Sequence, residues 1–148
     1  MTAMKNPVLY LFFFVLTQSH SQTWKNDIDA GLKEAIQTNK KVLLFFTVPE
    51  QCDNCKLLEQ NVLKTNEFLS FADNNYVLVK VDFSVKGEEL TEAMAEKNLL
   101  IVEKYNKDGF FPLVVILNKT SKVLGKTGVY KDESPSQFIS VLKSFEKI

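Results

Sequence analysis

Val42-Leu43-Leu44-Phe45-Phe46 is an uninterrupted apolar and aromatic run, and it constrains the fold of this chain more than any other feature. A strand wetted on one side would alternate polar and apolar residues. A strand with no polar position has to be covered on both faces, as in a sheet held between helices. Pro49 lacks the N–H that a ladder needs and ends the strand. From Cys52 to Leu63 the spacing becomes helical, with Cys55, Leu58 and Val62 on one face and Lys56, Glu59 and Gln60 on the other. Thr65-Asn66 caps a short further helix to Ala72, and Tyr76 to Asp82 reads as a second strand. Strand, helix, strand in that order favours a parallel pair with a right-handed crossover.

The flanks complete a layered architecture. From Asp27 the apolar residues Ile28, Leu32, Ala35 and Ile36 recur at helical spacing, and Asn39-Lys40-Lys41 closes that helix. Glu88 to Asn106 is helical, with Leu90, Ala93, Met94, Ile101 and Tyr105 apolar, a break expected near Asn98, and Gly109 as the stop. Pro112 to Leu117 and Lys122 to Val129 flank the polar turn Asn118-Lys119-Thr120-Ser121, the pattern of an antiparallel hairpin. The same turn matches a glycosylation acceptor, which a polar turn produces by chance. Ser134 and Pro135 open a last helix with Phe138, Val141, Leu142 and Phe145 facing inward. The sum is an α/β chain, a mixed sheet of four to five strands with helices on both faces.

With 148 residues, 45% of them hydrophobic, the chain has apolar area for one compact domain and no need of disulfides to hold it together. Its two cysteines are therefore free to be functional. Residues 1–21 read as a signal peptide: Lys5 gives a basic start, Val8 to Leu16 an apolar core, and Ser19-His20-Ser21 a small-residue cleavage site. That core is well short of the ~20 residues needed to span a bilayer. The expected mature domain is then 22–148, periplasmic or secreted, with no stable membrane insertion. No cysteine stands just after the cleavage point, which argues against a lipid anchor.

The only histidine, His20, falls inside that leader, and every basic residue in the chain is lysine. The mature domain is left without imidazole or guanidinium, which excludes Ser-His-Asp and Cys-His catalysis and any zinc site needing histidine. Setting Lys5 aside from the eighteen lysines leaves seventeen against eighteen acids, with no basic stripe, so nucleic acid and anionic membrane are poor candidate partners. Glu88, Glu89, Glu92 and Glu96 fit a solvated acidic helix start rather than a metal site.

Two cysteines at i and i+3 on a helix start have a physical logic, because unpaired N–H groups and the helix dipole favour a thiolate there. Cys52 is expected to be the exposed nucleophile and Cys55, one turn deeper, the resolving thiol. An inert bridge is the ordinary alternative in an exported chain, but a ring across two intervening residues removes little unfolded-state entropy. A soft metal such as Cu(I) would lack a nearby methionine or histidine ligand. Asp53 beside Cys52 disfavours its thiolate, which points to a reductase or isomerase-like role rather than an oxidase.

Cys52-x-x-Cys55-Lys56 directly after the buried strand, and Gly109-Phe110-Phe111-Pro112 opening the third, resemble the thioredoxin family over about Trp24 to Ile148. The chain looks most similar to exported thioredoxin-like proteins whose lead-in carries a tryptophan, here Trp24. The resemblance implies a thioredoxin fold and a thiol–disulfide oxidoreductase without cofactor or metal, acting on protein substrates with disulfides and fed by an upstream thiol electron donor. It implies catalytic roles for Cys52 and Cys55. It further implies a cis bond before Pro112, facing the cysteines beside a groove for an extended partner, with Phe111, Asp53 and Asn54 in contact with substrate. Two departures stand out. Gln51 replaces the tryptophan that usually precedes the first cysteine, and Phe45 and Phe46 stand where the family keeps a buried carboxylate, leaving Glu50 as a loop acid nearby. A second reading is a partner-binding module in which the cysteines are idle.

Overall fold

The computed structural model describes residues 23–83 and 91–146. The expected leader, 1–21, and the expected helix start from Glu88 to Leu90 lie outside the described residues. The elements are α1 (Ile28–Thr38), β1 (Lys41–Thr47), α2 (Asp53–Leu58) continued by a π-helical segment (Glu59–Leu63), α3 (Asn66–Asn75), β2 (Tyr76–Asp82), α4 (Glu92–Tyr105), β3 (Leu113–Leu117), β4 (Val123–Thr127) and α5 (Pro135–Ser144). The sheet has four strands in the order β2-β1-β3-β4. β1 runs parallel to β2 and antiparallel to β3, and β3 and β4 form the hairpin.

The apolar run of β1 is buried on both sides, as its lack of alternation requires. Leu43 and Phe45 point toward α2, α3 and α5, where they meet Leu58, Val62, Phe68 and Phe138. Val42, Leu44 and Phe46 point toward α1 and α4, where they meet Ile28, Ala35, Ile101 and Tyr105. Two half-cores thus share one strand, and truncating Phe45 or Phe46 to alanine should cost about 3–5 kcal/mol.

Local chemistry sets the helix ends. The Asp27 carboxylate accepts from the N–H groups of Asp29 and Ala30 at 2.7 and 3.0 Å, starting α1, and Asn39 ends it in the left-handed region. Gly31 lets α1 press onto β2, since a Cβ there would run into the Val79 side chain. The buried stripe of α1 is Ile28, Gly31 and Ala35, which leaves Ile36, expected inward, 61% exposed on the neighbouring face. In α5 the inward set is Phe138, Ile139 and Leu142, whereas Val141 is exposed. α4 runs through Asn98 without the expected break, because the buried Asn98 side chain donates to the Asp82 carbonyl at 3.3 Å and ties the helix to the end of β2. The lead-in pairs with the outer edge of β2: Lys25 N–H donates to Leu78 O at 2.9 Å and Lys80 N–H to Lys25 O at 2.8 Å. Trp24 there packs on Phe45 with ring centroids 5.9 Å apart. Among the described residues no helix is long and apolar enough to cross a membrane.

Candidate active site

β1 ends at Thr47, and the chain turns through Val48 to Gln51, where Gln51 N–H donates to Val48 O at 2.9 Å. Cys52 follows in extended conformation as the cap of α2, its sulfur accepting from Cys55 N–H at 3.1 Å. The two sulfurs are joined in a disulfide with Cα atoms 5.2 Å apart. Cys52 is half-buried, while Cys55 is wholly buried one turn behind it. An approaching group can reach only the first sulfur. The Asp53 side chain is 95% exposed and lies 3.4 Å from Lys56 Nζ, so water and a paired cation both weaken its repulsion of a Cys52 thiolate.

Cys52 opens onto a shallow cleft of about 480 Å³ lined by Val48, Gln51, Asp53, Asn54, Gly109 and Phe111. The far wall hangs from Asn106, which is buried. Its side chain donates to Phe110 O at 2.8 Å and accepts from Phe110 N–H at 3.0 Å, and Gly109 completes the turn with a φ of 68°. Phe111 is held edge-on to Phe83 at 5.9 Å. The Phe111–Pro112 bond is cis, as the resemblance implied. Of the residues singled out from sequence, Cys52, Asp53, Asn54 and Phe111 meet in this cleft, Cys55 sits beneath it, and Pro112 is buried behind Phe111 rather than lining it. Val48, Gln51 and Gly109 also line it, and Asn106 is the anchor that sequence reasoning missed. Its signal was faint: one amide three residues ahead of a glycine. Among the described residues no group of three His, Cys, Asp or Glu could hold a metal ion.

Below the cysteines the structure corrects the sequence reading. Glu59, assigned to the solvent face, has a side chain only 13% exposed and accepts from Lys80 Nζ of β2 at 2.6 Å, with Lys64 Nζ at 3.3 Å. The helix turns from α to π at this residue, which adds a residue per turn and departs from the 3.6 spacing used to assign its faces. Burial alone would raise the Glu59 carboxyl, but the Lys80 and Lys64 ammonium groups outweigh it and hold the carboxyl below its usual range. Phe45 and Phe46, one of which the resemblance sets in the place of the family's carboxylate, are both fully buried, on opposite faces of β1. The hydroxyl of Thr47, also buried, has no hydrogen-bond partner among the described residues.

A family profile described as a thioredoxin-like domain matches residues 28–146. This chain belongs to the thioredoxin-like family. It is 29% identical over 125 residues to the disulfide bond reductase DsbH of Chlamydia pneumoniae, covering 84% of this chain and 73% of that one. A solved structure of a DsbH oxidoreductase superposes with a TM-score of 0.77 at 27% identity, over 86% of each chain. A stretch of 68 residues is 35% identical to the thiol:disulfide interchange protein DsbD of Campylobacter jejuni, but it spans 46% of this chain and only 12% of that protein. The thioredoxin-like assignment agrees with the mixed four-stranded sheet and with a Cys-x-x-Cys disulfide at the head of α2.

Proposed function

We propose that this chain is a thiol–disulfide oxidoreductase working outside the cytoplasm, in the periplasm or as a secreted protein, after loss of residues 1–21. The observation that carries the reading is the asymmetry of its cysteine pair: one sulfur open to a cleft at a helix start, its partner fully buried one turn behind. In the reduced protein the Cys52 thiolate attacks one sulfur of a substrate disulfide, and the other substrate sulfur leaves as a thiolate that takes up a proton. Cys55 then loses its proton and attacks Cys52, forming the intramolecular bridge and releasing the second substrate thiol. Two electrons and two protons pass to the substrate, and an upstream thiol donor restores the dithiol. Cys55 N–H, already aimed at the Cys52 sulfur, is the group that receives the thiolate charge.

Phe111, Asp53 and Asn54 flank the substrate segment, and Pro112 shapes the backbone behind Phe111. The substrates are protein disulfides, and the direction is reduction or isomerisation rather than oxidation, in keeping with the printed name of the DsbH relative. The test is a Cys55→Ser variant, which lacks the resolving thiol. It should accumulate mixed disulfides with its substrates, and the absence of any covalent adduct would remove the enzymatic reading. Cys52→Ala should abolish insulin reduction; a variant that kept full partner binding while the unaltered chain reduced nothing would instead favour the binding-module reading.

A further inference from the structure

Phe110 is the only aromatic side chain among the described residues that stands mostly in solvent, at 64% exposed. Ile36, Leu99, Leu100 and Val129 are comparably open, but they are aliphatic, and single exposed aliphatic residues are ordinary on a folded surface. An exposed phenyl ring forgoes a large apolar burial, so its place in the fold calls for a reason. Slack in the loop is not the reason. The buried Asn106 side chain holds both backbone groups of Phe110, Gly109 ahead of it is set at a φ of 68°, and Phe111 after it packs edge-on against Phe83. The ring is therefore presented from a fixed backbone. Its neighbours in sequence, Gly109 and Phe111, border the cleft onto which Cys52 opens, which sets Phe110 at the rim. Lys107 and Asp108 are exposed beside it, so one apolar ring stands in a polar surround, the composition of a contact point in a protein interface.

We propose that Phe110 is a specificity-determining residue of the exchange site, binding an apolar side chain that lies close to the reactive cysteine of the substrate. The proposal rests on the exchange reaction described above and names the class of disulfide that reaction takes. The cleft itself cannot make this choice. It is shallow, its polar residues Gln51, Asp53 and Asn54 are exposed, and the one charge in its lining, Asp53, is paired with Lys56. A substrate segment crossing it in extended form advances about 3.3 Å per residue, so a side chain about two or three positions from the cysteine clears the cleft and meets the rim. A ring already fixed in place loses little conformational freedom on contact, and the gain is the removal of two apolar surfaces from water. Serine or aspartate at that substrate position gains nothing there. Cysteines flanked by leucine, valine or phenylalanine are mostly buried in a finished fold, and they are open to an enzyme in chains that are unfolded or wrongly bridged. Phe110 thus directs reduction toward misbridged chains and away from disulfides on native surfaces, whose flanks are polar.

The test uses two symmetrical peptide disulfides, one with leucine and one with serine at the second and third positions on both sides of the cysteine, and hydroxyethyl disulfide, which is too short to reach the rim. Single-turnover reduction by the dithiol protein is followed in the unaltered chain, in Phe110→Ser and in Phe110→Leu. The unaltered chain should reduce the leucine peptide on the order of tenfold faster than the serine peptide at limiting concentration, with equal rates at saturation. Phe110→Ser should bring that ratio close to one by slowing the leucine peptide alone, and Phe110→Leu should keep most of it. A ratio near one in the unaltered chain, or an unchanged ratio in Phe110→Ser, overturns the proposal. So does an equal loss toward all three disulfides, which would mean that the ring only supports the loop. If the unaltered chain reduces none of the three, the exchange reading fails, and Phe110 is then judged by binding: calorimetry of the two peptides, their cysteines replaced by alanine, against the oxidised chain. Tighter binding of the leucine peptide that is lost in Phe110→Ser upholds the contact, and equal binding overturns it.

Discussion

Reducing the Cys52–Cys55 bridge is the perturbation with the clearest arithmetic. The cysteines are three positions apart, so the ring holds about four residues, and the chain-entropy relation puts its closure in the unfolded state at about 1.9 kcal/mol. The folded chain already holds both residues at the head of α2 and loses little by being bridged. The oxidised protein should therefore be the more stable form by about 2 kcal/mol, or roughly 5–8 °C in melting temperature. A thermodynamic cycle turns the same number into a redox statement. If bridging stabilises the fold by that amount, the folded chain forms its disulfide more readily than the unfolded chain does, and it is ~40 mV more reducing than its own unfolded cysteines. The opposing term is the thiolate, which Cys55 N–H stabilises only in the reduced form. Urea unfolding of the oxidised and the dithiothreitol-reduced protein, with the glutathione equilibrium measured on the same samples, decides which term is larger. A reduced form as stable as the oxidised one, or more so, would refute the reasoning and turn the proposed direction from reductase to oxidant.

Thr47→Val should raise stability by about 1 kcal/mol and leave exchange unchanged, because it replaces an unsatisfied buried hydroxyl with a methyl of the same shape; a loss in urea unfolding would mean that the hydroxyl has a partner after all. Tyr76→Phe should lower stability by about 1–2 kcal/mol, since Tyr76 donates to Glu146 at 2.8 Å from a buried ring that holds the tail of the fold to β2. Burial and the adjacent Glu146 carboxylate push the Tyr76 hydroxyl far above its ordinary value of 10.0, so its contribution is complete below that pH and is lost as pH rises beyond it. Alkaline absorbance titration should show Tyr76 ionising only as the protein unfolds, a step lost in Tyr76→Phe, and its ionisation in the still-folded protein would contradict this. At the acid end, Glu59 has a depressed carboxyl, so its share of stability is present above the ordinary 4.5 and disappears as pH falls below it. Glu59→Gln should flatten that acid limb in urea unfolding, and an unchanged slope would deny the shift.

The parts of this fold legible in the sequence are those where one local signal suffices. β1 announced itself because five apolar residues in a row leave no wet face, and α5 because a serine, a proline and a helical stripe coincide. The position of Cys52 was legible for the same reason, as a cysteine at a helix start. What failed was anything that depends on where a helix face ends up. Ile36, Val141 and Glu59 were assigned by periodicity, which gives the pattern of a helix but not its rotation against the sheet. At Glu59 a π turn altered even the period. Asn98 was read as a break because asparagine is a poor helix former, and the bond that retains it is made to a carbonyl sixteen residues away. Asn106 was passed over because its bonds to Phe110 exist only once the loop has closed.

The departure from the family pattern gains its meaning from these same corrections. Phe45 and Phe46 lie on opposite faces of β1, so the strand is apolar on both sides and contributes cohesion to both half-cores. A covered acid, Glu59, begins the π-helical continuation of the helix that carries the cysteines and is matched by Lys80 on β2. The lysine stem reaches Glu59 from the sheet, so neither of these largely covered charges is left unpaired. It also ties that helix to the neighbouring parallel strand. On this architecture the sheet's centre can be repacked with apolar residues at the cost of packing alone, whereas a substitution at Glu59 or Lys80 leaves its partner's largely covered charge without that ion pair.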